Sequence, residues 1–401
     1  MMKKPLKNAL TSLYVAGVSA LCLAQDTSQP SLHFHLQPEW MSGKIVPNYK
    51  RAPSTDFRNS LFLNFSFRYS QSNKSWPGYY HYPYAGISLS MSTLGNPDIY
   101  GNEISIIPYL MFNPMRKCAK NTFLKVGLGM AYFDRPYNPE LNPANKAIGS
   151  NYNWAFQLFL YQNFPVTGRT SFMLGGGYLH ASNGHTRLPN VGLNSAMISV
   201  TANVELFQTT EQPQLLSEKF ENRSPFIQVT QGFGVHELGG STGPVGGKKG
   251  QVHATSLAYG IVFKNHLKIR TGFTYRYYEH FYTMVENKKP EHYSTHLRKE
   301  ASNAFFFLGS EFLIGHFSID IEGGINLHKP MYKEFYKQYE GKLKTFKYFL
   351  KSTFPSRLGI QYYLINTDKQ PKTNAFFSGH INANFGQADF SSVSIGLVRR
   401  L

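Results

Sequence analysis

Cysteine, charge and long apolar runs are all scarce in this chain, and each shortage excludes a class of protein. Only two of the 401 residues are cysteine, which excludes a disulfide framework. Charged residues make up 16% of the sequence. Beyond the N-terminal segment, no stretch reaches the roughly 18 uninterrupted apolar residues that a membrane-spanning helix needs. The sequence also contains no nucleotide, haem or zinc signature, so we expect neither a cofactor nor a bound metal.

The first 24 residues have the composition of a cleaved secretory signal peptide. Three lysines precede an apolar run that ends at Ala24, and this order is typical of export signals. Removing the three lysines lowers the formal net charge from +18 to +15. A positive excess favours anionic partners. For an exported chain we expect these partners to be phosphorylated lipids and not nucleic acid.

Apolar and polar residues alternate with a period of two along much of the mature chain. In residues 61–69, Leu61, Leu63 and Phe65 alternate with polar side chains, and residues 316–327 repeat the pattern. Strands of about ten residues with one apolar face are typical of outer-membrane β-barrels. Soluble β-sandwiches alternate too, but the export signal and the aromatic residues near strand ends favour a barrel in the bacterial outer membrane.

Short and long connections alternate between the predicted strands, which indicates an all-β, antiparallel barrel of about 16 strands (12–16). Residues 166–169 and 264–266 are short turns, whereas 181–193, 239–250, 279–301 and 328–344 are predicted to be long loops. The strands form either one barrel or two tandem eight-stranded units. We divide the chain into a signal peptide (1–24), a first barrel half (25–207), a polar linker (208–223) and a C-terminal half (224–401).

Residues 179–194, LHASNGHTRLPNVGLN, hold the candidate chemistry. His180 and Ser182 lie two residues apart at the end of a predicted strand, so their side chains share a face. A serine hydroxyl becomes an effective nucleophile when a neighbouring base takes its proton, and Asn194 could orient the imidazole. A second His-x-Ser pair, His292 and Ser294, lies among charges without a following Asn-Gly and is interpreted as incidental.

The face that carries His180 and Ser182 is predicted to point out of the barrel. Phe172 and Leu174 share this face, and bulky apolar residues of a membrane barrel face the lipid. Polar groups facing a bilayer are costly and indicate function. A nucleophile in this position is predicted to act on a lipid.

The run His180-Ala-Ser182-Asn183, followed by Pro189-Asn190-Val-Gly192, resembles the lipid A 3-O-deacylase (PagL-type) family of outer-membrane acyl hydrolases. The upstream segments FLKVGLGMAYF and ANKAIGSNYNWAFQLFLYQNF are also similar, so the resemblance covers roughly residues 76–207. It implies hydrolysis of an ester-linked acyl chain of lipid A, the anchor of lipopolysaccharide, without a cofactor.

The resemblance also implies roles for individual residues. Ser182 would be the nucleophile, His180 its general base, and Asn183 with Gly184 the oxyanion donors. Apart from the resemblance, the positive charge of Arg187 in the motif loop makes it the best placed residue to bind a lipid A phosphate; charges in such loops also serve to keep them soluble. The chain departs from the family at Asn194, where typical members have a glutamate.

Two other functions remain open. Outer-membrane phospholipase A has a similar His-x-Ser-Asn-Gly run and a later asparagine, and it needs calcium at a dimer interface. The second of these functions is that of an outer-membrane barrel without catalytic activity, either a porin or a lipid-binding protein. Expected partners are lipid A, lipopolysaccharide and other outer-membrane lipids, and a homodimer is one arrangement that the sequence allows.

Overall fold

The computed structural model describes residues 31–70, 72, 74–115, 117–210, 223–288 and 296–401, which form two closed antiparallel barrels of eight strands each. The strands of the first barrel are β1 (Ser31–Val46), β2 (Arg58–Tyr69), β3 (Tyr84–Thr93), β4 (Asn102–Phe112), β5 (Thr122–Phe133), β6 (Tyr152–Pro165), β7 (Thr170–Ser182) and β8 (Leu193–Thr210). Helix α1 (Ser75–Tyr79) lies between β2 and β3.

The second barrel contains β9 (Arg223–Gly240), β10 (Gly243–Phe263), β11 (Leu267–Tyr278), β12 (Ser302–Ile314), β13 (Phe317–His328), β14 (Pro355–Tyr363), β15 (Thr373–Asn384) and β16 (Gln387–Arg400). Its connections carry α2 (Glu279–Lys288), α3 (Leu297–Glu300), α4 (Met331–Tyr339) and α5 (Phe346–Thr353), with a short 3-10 helix at Thr367–Lys369. Successive strands pair, β1 closes on β8, and β9 closes on β16. The predicted all-β architecture of about 16 strands is confirmed, in its two-barrel form.

Several of the sequence predictions concern residues that the structure does not describe. The predicted signal peptide and the pair His292 and Ser294 lie outside the described residues. Residues 211–222 of the predicted linker are likewise outside, whereas 208–210 belong to β8. No helix in the described part of the chain is long and apolar enough to cross a membrane.

The two faces of each strand have different environments, as their alternation predicts. In β2, Leu61 and Phe65 are exposed on the outside, whereas Ser60 and Asn64 are buried inside the barrel. An eight-stranded barrel is so narrow that side chains fill its interior. In the first barrel, Lys125 Nζ lies 3.2 Å from Glu39 Oε2 at the centre of this filling.

The second barrel is filled by a denser group of charges. Arg270 lies 3.1 Å from Glu311, 2.5 Å from Asp320 and 2.7 Å from Glu322, all fully or almost fully buried. His380 Nε2 lies 3.0 Å from Asp320 Oδ2 in the same network. The segment around His380 resembles the first-barrel motif in sequence, yet His380 points into the lumen while His180 points outward.

Three predicted long loops of the second barrel have regular structure. Residues 239–250 are not a loop, because β9 and β10 continue toward each other and are joined by a two-residue turn at 241–242. The pairing register is irregular between Pro244 and Lys249. Because this segment is rich in glycine, it lacks the alternation of apolar and polar residues by which a strand is predicted from sequence. Helices α2 and α3, within 279–301, and helix α4, within 328–344, pack over this end of the barrel around Phe281, Met331 and Phe335.

The two barrels lie side by side and touch at both ends. At the end where residues 31 and 400 lie, Tyr79 stacks on His266 with ring centroids 3.4 Å apart, and Tyr80 Oη donates to the carbonyl of His266 over 3.0 Å. At the opposite end, called the site end below, Asn190 N donates to Ser241 O over 2.8 Å, and Glu237 N donates to His185 O over 3.1 Å. Main-chain hydrogen bonds therefore join the 183–192 loop to the second barrel.

Candidate functional site

Strands β7 and β8 bring His180 and Asn194 together. The two residues are direct partners in the antiparallel register, and His180 Nδ1 lies 2.6 Å from Asn194 Oδ1. An amide oxygen only accepts hydrogen bonds, so Nδ1 carries the proton and donates it to Asn194. Nε2 is then the ring nitrogen that is free of a proton and can act as a base.

His180 and Ser182 point out of the first barrel, on the face that the alternation predicts. The intervening residues Leu179 and Ala181 belong to the apolar cluster inside the barrel, while Phe172 and Leu174 are exposed on the outside. Ser182 nevertheless has only 6% of its surface exposed. The second barrel covers it, so the serine faces a cleft between barrels instead of open lipid.

This cleft contains a cavity of about 400 Å³ that His180, Ser182 and Asn190 line from the first barrel. Gly192 packs directly against the pair. A Cβ built on Gly192 would lie 2.8 Å from His180 Cε1 and 3.5 Å from Ser182 Cβ, and the residue has a φ of 83°. Both the close approach and the left-handed backbone require glycine here.

Asn183 holds the motif loop in shape. Its backbone N–H donates to Asn190 Oδ1 over 3.0 Å. Its side-chain amide donates to Ser150 Oγ over 3.0 Å and to the carbonyl of Arg187 over 2.7 Å. These donors are therefore engaged by Asn190, Ser150 and Arg187 and are not directed at the cavity.

The other two predicted site residues lie around the same loop. Gly184 has a φ of 62°, and a Cβ built on it would lie 2.1 Å from Ser391 Oγ of the second barrel, so no larger side chain fits. Arg187 is exposed and does not line the cavity. The structure thus brings His180, Ser182 and Asn194 together. Like Arg187, Asn183 and Gly184 do not line the cavity.

Most of the first barrel matches a known protein family. Residues 52–203 match the lipid A 3-O-deacylase (PagL) family. The matched region contains β2 to β7 and most of β8, including His180, Ser182 and Asn194. The resemblance predicted from the motif is confirmed for this deacylase-like barrel, and the second barrel lies beyond the match.

Two of the solved structures that resemble this chain have low sequence identity to it. The crystal structure of the outer membrane enzyme PagL is 15% identical, covers 42% of this chain and 99% of that chain, and has a TM-score of 0.29. A mutant porin of Rhodopseudomonas blastica is 7% identical over 93% of this chain and all of that chain, with a TM-score of 0.16. No curated protein matches the chain. Function is therefore inferred from the family match and from the geometry of residues 178–194.

Tyr178 is a member of the site that sequence reasoning did not assign. Its hydroxyl donates a short hydrogen bond to Asn194 Oδ1, the atom that also accepts from His180. The available signal was its position two residues before His180 on the same strand face. Two donors on one oxygen fix the orientation of the amide and, through it, that of the imidazole.

The second barrel supplies the opposite wall of the cavity, which no feature of the motif predicts. This wall includes Tyr339, Glu340, Lys347, Lys351 and Gln387. These residues are about 160 to 200 positions from Ser182 in the chain, so only the packing of the barrels brings them near it.

Three buried histidines join the deacylase-like barrel to the second barrel beside the site. The rings of His185 and His236 have centroids 4.7 Å apart, and those of His236 and His280 are 4.4 Å apart. One nitrogen of His185 and both nitrogens of the other two rings are buried without a hydrogen-bond partner among the described residues. The carboxylates nearest to the cluster are those of Glu237, Glu340 and Asp389.

We expect this cluster to weaken the contact between the barrels in acid. Burial lowers the pKa of His280 from 6.5 to about 4 and also lowers the pKa of His185. Because the folded state disfavours the protonated rings, their stabilisation is complete above pH 6.5 and is lost as the pH falls toward 4. For His280 alone the loss is on the order of 3 kcal/mol.

Thermal unfolding in detergent between pH 7.5 and 4.5 measures this loss. His280→Phe should flatten the pH dependence, whereas His328→Gln, outside the cluster, should keep it. A wild-type unfolding temperature that does not change over this range would contradict the expectation.

Proposed function

We propose that the chain is an outer-membrane serine esterase that removes an ester-linked acyl chain from lipid A, with Ser182, His180 and Asn194 as its catalytic residues. One observation supports the proposal above all. An oriented imidazole and a serine line one cavity on the outer surface of a barrel that matches the deacylase family. Lipopolysaccharide in the outer membrane is then the substrate.

The proposed reaction has two steps. His180 Nε2 takes the Ser182 proton as Oγ attacks the ester carbonyl, and the resulting imidazolium then protonates the departing sugar oxygen. This leaves an acyl group on Ser182 and a free hydroxyl on lipid A. Water, deprotonated by the same nitrogen, cleaves the acyl-enzyme and releases the fatty acid.

The oxyanion of the tetrahedral intermediate needs hydrogen-bond donors. Because the N–H groups of Asn183 are engaged by Asn190, Ser150 and Arg187, we favour the backbone amide of Gly184 for this role. Asn183 would contribute only if the loop opened on substrate binding. Arg187 would reach a phosphate from the exposed outer side of the loop and not from inside the cavity.

Asn194 is the unusual member of this site, since a neutral amide stabilises the imidazolium less than a carboxylate does. Asn194→Glu restores the acid typical of the family and should maintain kcat or raise it, by up to about tenfold. Steady-state hydrolysis of lipid A measures the effect, with Asn194→Leu, which cannot accept a hydrogen bond, as the inactive control. A folded but inactive glutamate variant would show that Asn194 is not the third member.

Mass spectrometry of lipid A from cells with and without this chain tests the function directly. Loss of the mass of one acyl chain is the expected result, and it should also occur with purified protein in a chelating buffer. Hydrolysis of phospholipids that depends on calcium would instead support a phospholipase A. A role as a porin is disfavoured because charged and polar side chains fill both lumens, around Lys125 and Glu39 in one and Arg270 in the other.

A further inference from the structure

The second barrel covers Ser182 through contacts that are specific. Ser391 Oγ, on β16, donates to the carbonyl of Asn183 over 3.1 Å and accepts from Trp154 Nε1 over 2.9 Å. Leu188 N donates to Glu237 Oε2 over 3.0 Å. With the main-chain bonds at Asn190 and His185, these contacts set the width of the cleft, so an ester that reaches Ser182 must also touch the second barrel.

The wall opposite Ser182 carries more positive than negative charge. Lys347 and Lys351 lie one turn apart on α5 and line the cavity together with one carboxylate, that of Glu340. Lys351 is buried, lies 3.7 Å from Glu340 and donates a short hydrogen bond to Gln387. Lys347 is exposed and forms no ion pair within the described ranges of the chain. It is the ammonium group available to a ligand.

The position of Lys351 makes an additional anion favourable. Burial lowers its pKa, Glu340 acts in the opposite direction, and the neighbouring charge of Lys347 lowers it further. An anion bound beside both ammonium groups would offset their repulsion and replace lost hydration. Charge-assisted hydrogen bonds of this kind are among the stronger ones in proteins.

Helix α5 is amphipathic in a way that suits a lipid interface. Phe346 and Phe349 are 75% and 52% exposed on it, while Lys347 and Lys351 line the cavity. Aromatic residues on one face and lysines on the other are typical of helices that lie at the level of lipid head groups. An anionic ligand at Lys347 is therefore best supplied by the head group of a lipid.

We infer that the second barrel forms half of the substrate site, and that Lys347 and Lys351 bind a phosphate group on the same lipid whose ester reaches Ser182. This inference rests on the proposed esterase function. It assigns the second barrel a role in selecting phosphorylated ester lipids over otherwise identical neutral ones.

The test compares lipid A that bears its phosphates with lipid A from which they have been removed, both in detergent micelles. Lys347→Gln should lower kcat/KM on the phosphorylated lipid about tenfold, mainly through KM, and leave the dephosphorylated lipid unaffected. Lys337→Gln, which removes an exposed charge from α4 outside the cavity, is the matched control and should change neither value. Equal losses on both lipids, or equal effects of the two variants, would overturn the inference.

A binding measurement separates this inference from the esterase proposal. Ser182→Ala protein in phosphatidylcholine nanodiscs should bind phosphorylated lipid A about tenfold more tightly than the dephosphorylated form. In the double variant that combines Ser182→Ala with Lys347→Gln, the two forms of lipid A should bind with equal affinity. If wild-type protein hydrolyses neither lipid, the esterase proposal fails, yet this selectivity still decides whether the phosphate site exists. Equal binding of the two lipids would refute the site.

Discussion

Ser182→Ala should reduce lipid A deacylation by at least about a thousandfold, because Ser182 is the cavity-lining hydroxyl two residues from the His180 base on the same strand face. The fold should not change. Ser182 lies at the end of β7, and alanine occupies less space in a cavity of about 400 Å³. Mass spectrometry of lipid A measures the product, and heat-modifiable migration on gels checks that the barrel remains folded.

Ser294→Ala is the matched control, since Ser294 is the serine of the second His-x-Ser pair. It should leave deacylation unchanged. Undiminished product from the Ser182 variant would refute the assigned nucleophile, and a large loss in the Ser294 variant would show that the other pair is catalytic.

Arg270→Met should lower the free energy of unfolding of the second barrel by about 3–5 kcal/mol, the usual cost of removing one partner from a buried ion pair. Arg270 is fully buried and lies within 3.1 Å of Glu311, Asp320 and Glu322. Methionine fills much of the same volume but leaves these carboxylates with less positive charge to balance them.

The three tryptophans allow the effect to be localised. Trp40, Trp76 and Trp154 all belong to the first barrel, so their fluorescence follows its unfolding in urea, while protease resistance of residues 223–401 follows the second. In the Arg270 variant, the transition of the second barrel should move to a clearly lower urea concentration, and that of the first barrel should change little. Arg298→Met, at an exposed position on α3, is the control. An Arg270 variant whose second barrel unfolds at the same urea concentration as the wild type would contradict the expected effect.

Alternation of side chains predicted the strands and the outward direction of the site, because the period of a strand is a local property. It predicted His180 and Ser182 on one face, and the structure has both on the outer face of β7. His380 has the opposite orientation in β15 despite the similar sequence around it: it shares the inner face with Ser378 and Asn382, whereas Phe377 lies on the outer face. A motif alone does not determine the face on which a strand presents it, because a shift of one residue reverses every side chain.

The loops were less predictable than the strands. Residues 239–250 are rich in glycine and were predicted to be a loop, yet they pair as an extended hairpin. Their order comes from main-chain hydrogen bonds, and the 183–192 loop is bonded to the same hairpin. Such contacts depend on backbone groups that every residue has, so composition does not reveal them.

The amino-acid sequence by itself determined the class of fold, the strand face that carries the candidate chemistry, and the pairing of an imidazole with Asn194 across one hairpin. Each of these follows from residues close together in the chain. Only the tertiary structure decided that the sheet closes twice, at β8 and at β16, and that the second barrel covers Ser182 with Lys347 and Lys351 in the opposite wall. Barrel closure depends on which two strand edges pair, and the wall opposite Ser182 depends on how the two folded barrels pack. Neither feature produces a periodic pattern in the amino-acid sequence.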